Sequence, residues 1–590
     1  MSELYSDQTA FSKDVDMVRN ELLPQIEKYK GKLNNEKNIK QVLDIQSKTR
    51  KILEKLMIYS TLSLDLDYAD SKAKELKMQY DALDGDYQSA TSFIPTEIMK
   101  LPKQKLTKMI NDPGMSSYNL ELENLLQQKD HILSAEEENL LSMTSELSAS
   151  PYTIFENLMY ADFKYPFIKD EKGHDIELTP VKYNQILESS NRELRKKAYE
   201  AYMDNVASYN NTLAATYASH VKYDVFYAKA RNYDSSLNQT LAEENIPRSI
   251  YDNLIFSTHN NLNSLHDYYS LRKKALGYKE LYRYDFWVPF SSEYKMDIPY
   301  DQAVKIVRAA LTPLGQEYIA NFDKAVANRW IDVYSDDNKN TSSYCASCYS
   351  NHPYILLNYD GSLDSLVTLA HEMGHAMHFY SSQNAQIYEK SEEVIFTGEV
   401  ASNVNEFLLM NYLLQNAKSN QEKIYLLDYY INNLNVMFFY QVEYSEFEKK
   451  AHELVEANES LTPQALNNLW GSIMKEYYGD TVNLGNGNSV AWSLIPHFYD
   501  SFYVYKYATS VSAACSIVGN IQNKDENTLA RYQEFLRAGS ADYPVELLKN
   551  AGVDMSSPEP IEEFLQYFGQ QVNELETLLE KQPKHTSATT

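Results

Sequence analysis

One stretch constrains this chain more than any other: a stripe of apolar residues that carries the pentad His371-Glu372-Met373-Gly374-His375. Leu363, Leu366, Val367, Ala370, Met373, Gly374 and Met377 recur at intervals of three and four, the period of an amphipathic helix. Side chains four apart on a helix lie one above the other, so the imidazoles of His371 and His375 share a face and can share a metal ion. Glu372 stands beside the first imidazole, placed to take a proton from water activated by that ion. Just upstream, Asp360-Gly361-Ser362 supplies a turn and an N-cap. Residues 353–358 form an apolar run of strand length, and an edge strand there would hold an extended substrate by backbone pairing. A buried helix with two core histidines is the alternative.

A catalytic zinc site takes three protein ligands and leaves one position open, so the pentad needs one more ligand. A metzincin pattern would place a glycine at 378 and a histidine at 381, where this chain has His378 and Ser381. The downstream candidates are Glu389, Glu392, Glu393, Glu399 and Glu406. Glu399 opens a helical stretch on which Glu399, Asn403 and Glu406 share one face, an arrangement for one ligand with polar support beneath it. Glu389, Glu392 and Glu393 lie in a denser polar stretch and read as solvated surface, which leaves Glu399 as the third ligand. His378, one turn beyond His375, either orients it or is an ordinary half-buried histidine. Cys345-Ala346-Ser347-Cys348 has only Cys515 besides it, too few for a four-ligand structural zinc, and reads as strand or loop.

Several stretches resemble the thimet oligopeptidase family of zinc metallopeptidases, and within it the oligoendopeptidase F branch. They are Trp330-Ile331-Asp332-Val333-Tyr334, His352-Pro353-Tyr354-Ile355-Leu356-Leu357-Asn358-Tyr359, and the helix from Leu369 to His378. The others are Gly398-Glu399-Val400-Ala401-Ser402 with Asn405-Glu406, then Ile495-Pro496-His497-Phe498-Tyr499, and the run from Phe502 to Thr509. Weaker similarity extends from about residue 10 to 575.

The resemblance implies that His371, His375 and Glu399 bind one Zn2+ per chain and that Glu372 is the general base and acid. It also implies that His497 and a tyrosine polarise the scissile carbonyl. Tyr503 and Tyr505 are the favoured tyrosines, with Tyr499 and Tyr507 as packing residues. The implied fold is mainly α and zincin-like: two helical lobes flanking a deep channel, with a small β-sheet beside the pentad helix. Such a channel admits short unstructured oligopeptides, which are cut internally. A peptidyl-dipeptidase of the same fold, or a catalytically inactive zinc-bound peptide-binding protein, are the other readings.

Order along the chain agrees with a mainly helical protein. Only 17 glycines and 18 prolines punctuate 590 residues, which favours long helices with short connections. Val42, Ile45, Ile52 and Leu56 mark an N-terminal helix within a helical region over 1–110. The pattern loosens over 111–189, with turn signals at Asp112-Pro113-Gly114 and Lys172-Gly173-His174-Asp175, as in an oligoendopeptidase F-type cap region. A stripe from Leu194 through Ala198, Tyr202, Val206 and Tyr209 to Leu213 opens the catalytic domain, 190–580, and a polar, disordered tail is expected over 581–590. Gly479, Gly485 and Gly487, with Asn483, Asn486 and Asn488, form a loop ahead of His497. It is either a mobile segment that closes on substrate or a plain surface connection.

A net charge of −27 repels phosphate backbones and anionic bilayers, so neither nucleic acid nor membrane is an expected partner. No apolar run is long enough to span a bilayer, the first seven residues are polar and acidic, and three cysteines make no disulfide framework. The expected location is cytoplasmic.

Overall fold

Helices dominate, as the shortage of turn-forming residues requires, and the strands are short pieces in three small sheets. The computed structural model describes residues 1–581 except 292, 293, 350, 486, 524 and 525. Asn486 and the expected tail from 582 onward lie outside the described residues.

The N-terminal stripe forms one long helix, Glu36–Leu66, capped by Asn35, whose side chain accepts from the Asn38 amide, with Val42 and Leu56 buried. The stripe that opens at Leu194 runs through two helices, Arg192–Ser208 and Asn210–Ala230, broken at Tyr209. A one-residue break does not reset the phase of the apolar face, so Tyr202, Val206 and Leu213 still enter one core with Phe155, Phe163 and Val490. At Gly173, with φ +85°, the chain reverses between the antiparallel strands Phe167–Lys169 and Asp175–Glu177.

Packing divides the chain into two units. The first comprises 1–132, 296–411 and 517–553; the second comprises 133–295, 412–516 and the chain from 554 onward. In the first unit, Leu53, Leu56, Leu62 and Leu83 pack with the N-terminal residues Phe11 and Val18, and Tyr344 and Tyr354 of a three-stranded sheet lie against them.

That sheet corrects one expectation. The run over 353–358 does contain a strand, Tyr354–Leu356, but it is the central one, parallel to Ile331–Asp332 and antiparallel to Tyr344–Ala346. Both of its edges are therefore paired. The physical reason lies in its composition: an unbroken apolar run suits a strand covered on both sides, and Ile355, Leu356 and Leu357 are all buried. The outer strand next to the pentad helix is Tyr344–Ala346, which packs directly against it.

Candidate metal centre

The pentad sits in the helix Leu363–Ala385, opened by Gly361 at φ +87° and by Ser362, whose hydroxyl accepts from the Ser365 amide at 3.1 Å. A second helix, Ile395–Asn416, crosses it at Gly374. A Cβ added at Gly374 would stand 2.5 Å from Ser402 Cα and 2.6 Å from the Ala401 carbonyl oxygen. The glycine in the pentad is thus a packing requirement, because only a residue without a side chain lets the second backbone come this close.

This close crossing brings Glu399 to the two imidazoles. His371 Nε2 and His375 Nε2 are 3.3 Å apart, and each is 3.4 Å from Glu399 Oε2. Bonds of about 2.0–2.2 Å in a tetrahedral zinc site place neighbouring donors about 3.3–3.6 Å apart. The three atoms therefore match one face of such a tetrahedron, with the fourth corner left for solvent or substrate. Two imidazoles and one carboxylate also suit a borderline-soft divalent ion chemically. The residues present fit a zinc ion.

The polar groups behind these donors fix their orientation. Glu406 Oε1 accepts from His371 Nδ1 at 2.6 Å, which leaves the Nε2 lone pair directed at the triangle. Ser402 Oγ donates to Glu399 Oε2 at 2.8 Å. Asn405 ties the two helices together, donating to the Ala370 carbonyl and accepting from Tyr318 Oη, each at 2.9 Å. Asn403, expected to share the supporting face, is buried and makes no side-chain hydrogen bond among the described residues.

A second correction concerns Glu393. Its side chain, expected on solvated surface, is only 11% exposed, 2.7 Å from His378 Nδ1 and 3.8 Å from His375 Nδ1. His378 and His375 therefore both face the Glu393 carboxylate. Glu393 precedes the start of its helix, so periodicity carries no signal for it. Glu389, also expected on the surface, is half-buried and accepts from Ser47 Oγ, whereas Glu392 is exposed as expected.

Burial raises the Glu399 pKa, but hydrogen bonding and charge from His375, with the charge of His371, hold it down to about 2. It is an anion, as a ligand must be. Burial acts the same way on Glu372, 6% exposed, but there it prevails and leaves the carboxyl above the usual range despite the neighbouring imidazoles. Cys345 and Cys348 are free thiols raised by burial, Cys348 to about 12, so they lack thiolate character.

The other expected residues belong to the second unit. His497 is exposed in the short 3-10 turn Pro496–Tyr499, and its ring lies parallel to that of Tyr503, centroids 6.5 Å apart. Tyr503 is half-buried and touches Tyr507 edge-on. Tyr499 is a packing residue, set among Tyr152, Phe155 and Tyr217 with its hydroxyl 2.9 Å from Thr216 Oγ1. Tyr505, favoured alongside Tyr503, is 1% exposed and packs on Tyr251 at 4.9 Å between centroids. Its hydroxyl is buried as well.

Just before Tyr503 the backbone is strained. Phe502 has φ +59°, a left-handed conformation uncommon for a bulky residue. Its amide donates to Glu448 Oε1 at 2.7 Å, and the adjacent Ser501 hydroxyl donates to Asp224 Oδ2 at 2.5 Å. Buried Glu448 and half-buried Asp224 hold the elbow that leads into Tyr503, a feature no sequence spacing announces.

Comparison with known proteins bears directly on this arrangement. The profile described as Peptidase family M3 matches residues 185–567, and that described as Oligopeptidase F matches 97–165. Oligopeptidase PepF of Bacillus subtilis is 36% identical over 583 residues, covering 98% of this chain and 87% of that protein. The chain belongs to peptidase family M3. Another relative, an oligoendopeptidase F homolog of Lactococcus lactis, is 36% identical over 531 residues, 90% of this chain and 88% of that protein. The solved structure of oligoendopeptidase-F from Enterococcus faecium superposes with a TM-score of 0.77 at 30% identity, covering 98% of this chain and all of that one.

An M3 peptidase is a metal-dependent enzyme acting on peptides, and this chain is a metalloendopeptidase of that family. Its mostly helical architecture with small sheets matches its M3 structural relatives. No helix among the described residues is long and apolar enough to cross a membrane.

Proposed function

We propose that this chain is a zinc-dependent endopeptidase that cuts internal bonds of short, unstructured peptides. The observation that carries the reading is the donor triangle of His371, His375 and Glu399, whose edges of 3.3–3.4 Å suit one zinc ion. When bound, that ion acts as a Lewis acid, polarising the scissile carbonyl and making water nucleophilic near neutral pH. Glu372 takes the proton of the attacking water on its carboxylate and returns it to the departing amine nitrogen. Its partly desolvated position supports both roles, since a raised pKa brings acid and base forms closer in energy at neutral pH.

His497 and Tyr503 donate to the oxygen that gains negative charge. This part rests on family resemblance, on the exposure of His497 and on the held elbow before Tyr503. The burial of Tyr505 supports Tyr503 over it for this role. The outer strand Tyr344–Ala346 pairs with the substrate backbone as an added strand would, a role supported by its packing against the pentad helix. Catalysis is assigned to residues 190–580 and a cap to 111–189, supported by the two profile matches. Three free thiols support a reducing, cytoplasmic setting.

The test is metal content together with cleavage of an internally quenched peptide blocked at both ends, before and after chelation. One zinc per chain is expected, with cleavage lost on chelation and restored by zinc. Cleavage that survives complete metal removal would sink the proposal.

A further inference from the structure

His497 and Tyr503, the two groups proposed to donate to the oxyanion, sit on one short segment of the second unit. Its residues alternate in character. His497 is exposed and Tyr503 half-buried, whereas Phe498, Phe502 and Val504 are each 1% exposed. The rings of His497 and Tyr503 lie 16° from parallel with centroids 6.5 Å apart. Regular structure does not hold that spacing, because residues 500–504 belong to no helix or strand.

The elbow at Ser501 and Phe502 holds it instead. Phe502, at φ +59°, keeps a conformation that a bulky residue retains only where its surroundings over-determine it. Two helices do so: Asn210–Ala230 carries His220 and Asp224, and Gln441–Glu456 carries Glu448 and His452. Glu448, 1% exposed, accepts from the Phe502 amide at 2.7 Å, and Asp224 accepts from Ser501 Oγ at 2.5 Å. His452 links these two anchors, with Nε2 3.1 Å from Asp224 Oδ2 and Nδ1 2.9 Å from the Glu448 carbonyl oxygen. His220 Nε2 lies 2.9 Å from Ser501 Oγ. The Phe502 ring is wedged beside them, 4.6 Å from the His452 ring and 6.0 Å from that of Tyr251.

A turn that served only to reverse the chain would be met more simply by glycine, which takes this φ at no steric cost. Here a bulky residue is held in it by a buried carboxyl, and the residue that follows is the half-buried phenol. Loss of that acceptor leaves the Phe502 amide an unpaired buried donor and removes what favours the left-handed turn. A return to negative φ redirects the chain at the next residue and carries the Tyr503 ring away from His497.

We propose that Glu448, with Asp224 holding Ser501 beside it, is a positioning residue for Tyr503: it sets the direction of the phenol and its spacing from His497. The inference rests on the proposed role of Tyr503 as a donor to the developing oxyanion. Glu448 is enclosed, so it reaches the reaction only through the chain it holds. A phenol that meets the oxygen only as charge develops acts on kcat, so a misdirected Tyr503 slows turnover and leaves KM nearly unchanged.

The test is a double-mutant cycle on the full-length holoenzyme, with zinc content and Tm measured beside kcat and KM on an internally quenched peptide. Glu448→Ala should lower kcat at least about tenfold with KM within about twofold, as a misplaced donor does. Glu448→Gln keeps an accepting oxygen and should recover kcat to within about threefold of the unaltered enzyme. In the Tyr503→Phe background, where no phenol is left to direct, Glu448→Ala should lower kcat by no more than about twofold further. Ser501→Ala removes only the hydroxyl held by Asp224 and should lower kcat about threefold, an effect that Tyr503→Phe abolishes. It decides by the same cycle if Glu448→Ala does not fold. Equal losses with and without the Tyr503 hydroxyl overturn the proposal, as does a Glu448→Gln variant as slow as Glu448→Ala or a loss confined to KM. If Tyr503→Phe alone leaves kcat unchanged, the donor role of Tyr503 falls and this inference with it; if that variant is slow and the losses still add, positioning alone has failed.

Discussion

The pentad helix and the tyrosine-rich stretch from His497 to Tyr507 are both dense in chemistry-bearing residues, yet they are organised by different rules. On the helix, spacing does the work: residues 371 and 375 are neighbours wherever that helix forms, because four residues make about one turn. In the second stretch four tyrosines fall within nine positions, and spacing does not rank them. Tyr499 packs among aromatic rings, Tyr505 is enclosed in a core, and Tyr503 keeps a solvent-facing side beyond a strained Phe502. Local periodicity can place a ligand pair, but selecting one side chain among equals takes the surrounding fold.

The largest expected effects lie at the periodic site. His371→Ala should lose both metal and turnover. Glu372→Gln should keep its metal while kcat falls by at least about 10³-fold, as befits a general base and acid. Metal analysis beside peptide hydrolysis separates the two, and full activity in either variant breaks the assignment.

Gly374→Ala comes next and tests the crossing of the two helices. A Cβ pressed onto Ser402 and Ala401 must push the backbones apart, at a cost of about 1–3 kcal/mol or more. Lower Tm with weaker zinc affinity is expected; an unchanged zinc affinity would show that Glu399 does not depend on that close approach.

The tyrosine stretch should respond more selectively. Tyr503→Phe and His497→Ala should each lower kcat about 10²-fold with zinc retained, in line with the loss of one donor to a developing oxyanion. Glu393→Gln should weaken zinc binding by about tenfold, as is usual for a group that orients a ligand. Tyr505→Phe should change turnover least, within about twofold. A large kcat loss in Tyr505→Phe, with Tyr503→Phe silent, would invert the reading of the two tyrosines.

Much of the metal site is legible in the amino-acid sequence. The apolar stripe, the pentad and the Ser362 cap are local features, and the fold reproduces them. Choosing Glu399 over four other glutamates needs only the face shared by a helix, and Glu406 on that face holds His371. Glu393 escapes such a reading because it lies before its helix begins, where no period applies. The run over 353–358 reads as an edge strand on its position ahead of the pentad, yet its unbroken apolar character belongs in the middle of a sheet, where the strand lies.

By itself, the chain of residues determined what depends on neighbours within one or two turns: helix-rich architecture, two imidazoles on one face, a carboxylate beside them, a cap and a turn. The tertiary structure alone decided which distant groups meet. It set the approach of Ser402 to Gly374, the burial of Glu393, and the grip of Asp224 and Glu448 on the Phe502 elbow. These depend on burial and on contacts between residues far apart in sequence, and a periodic pattern carries no record of either.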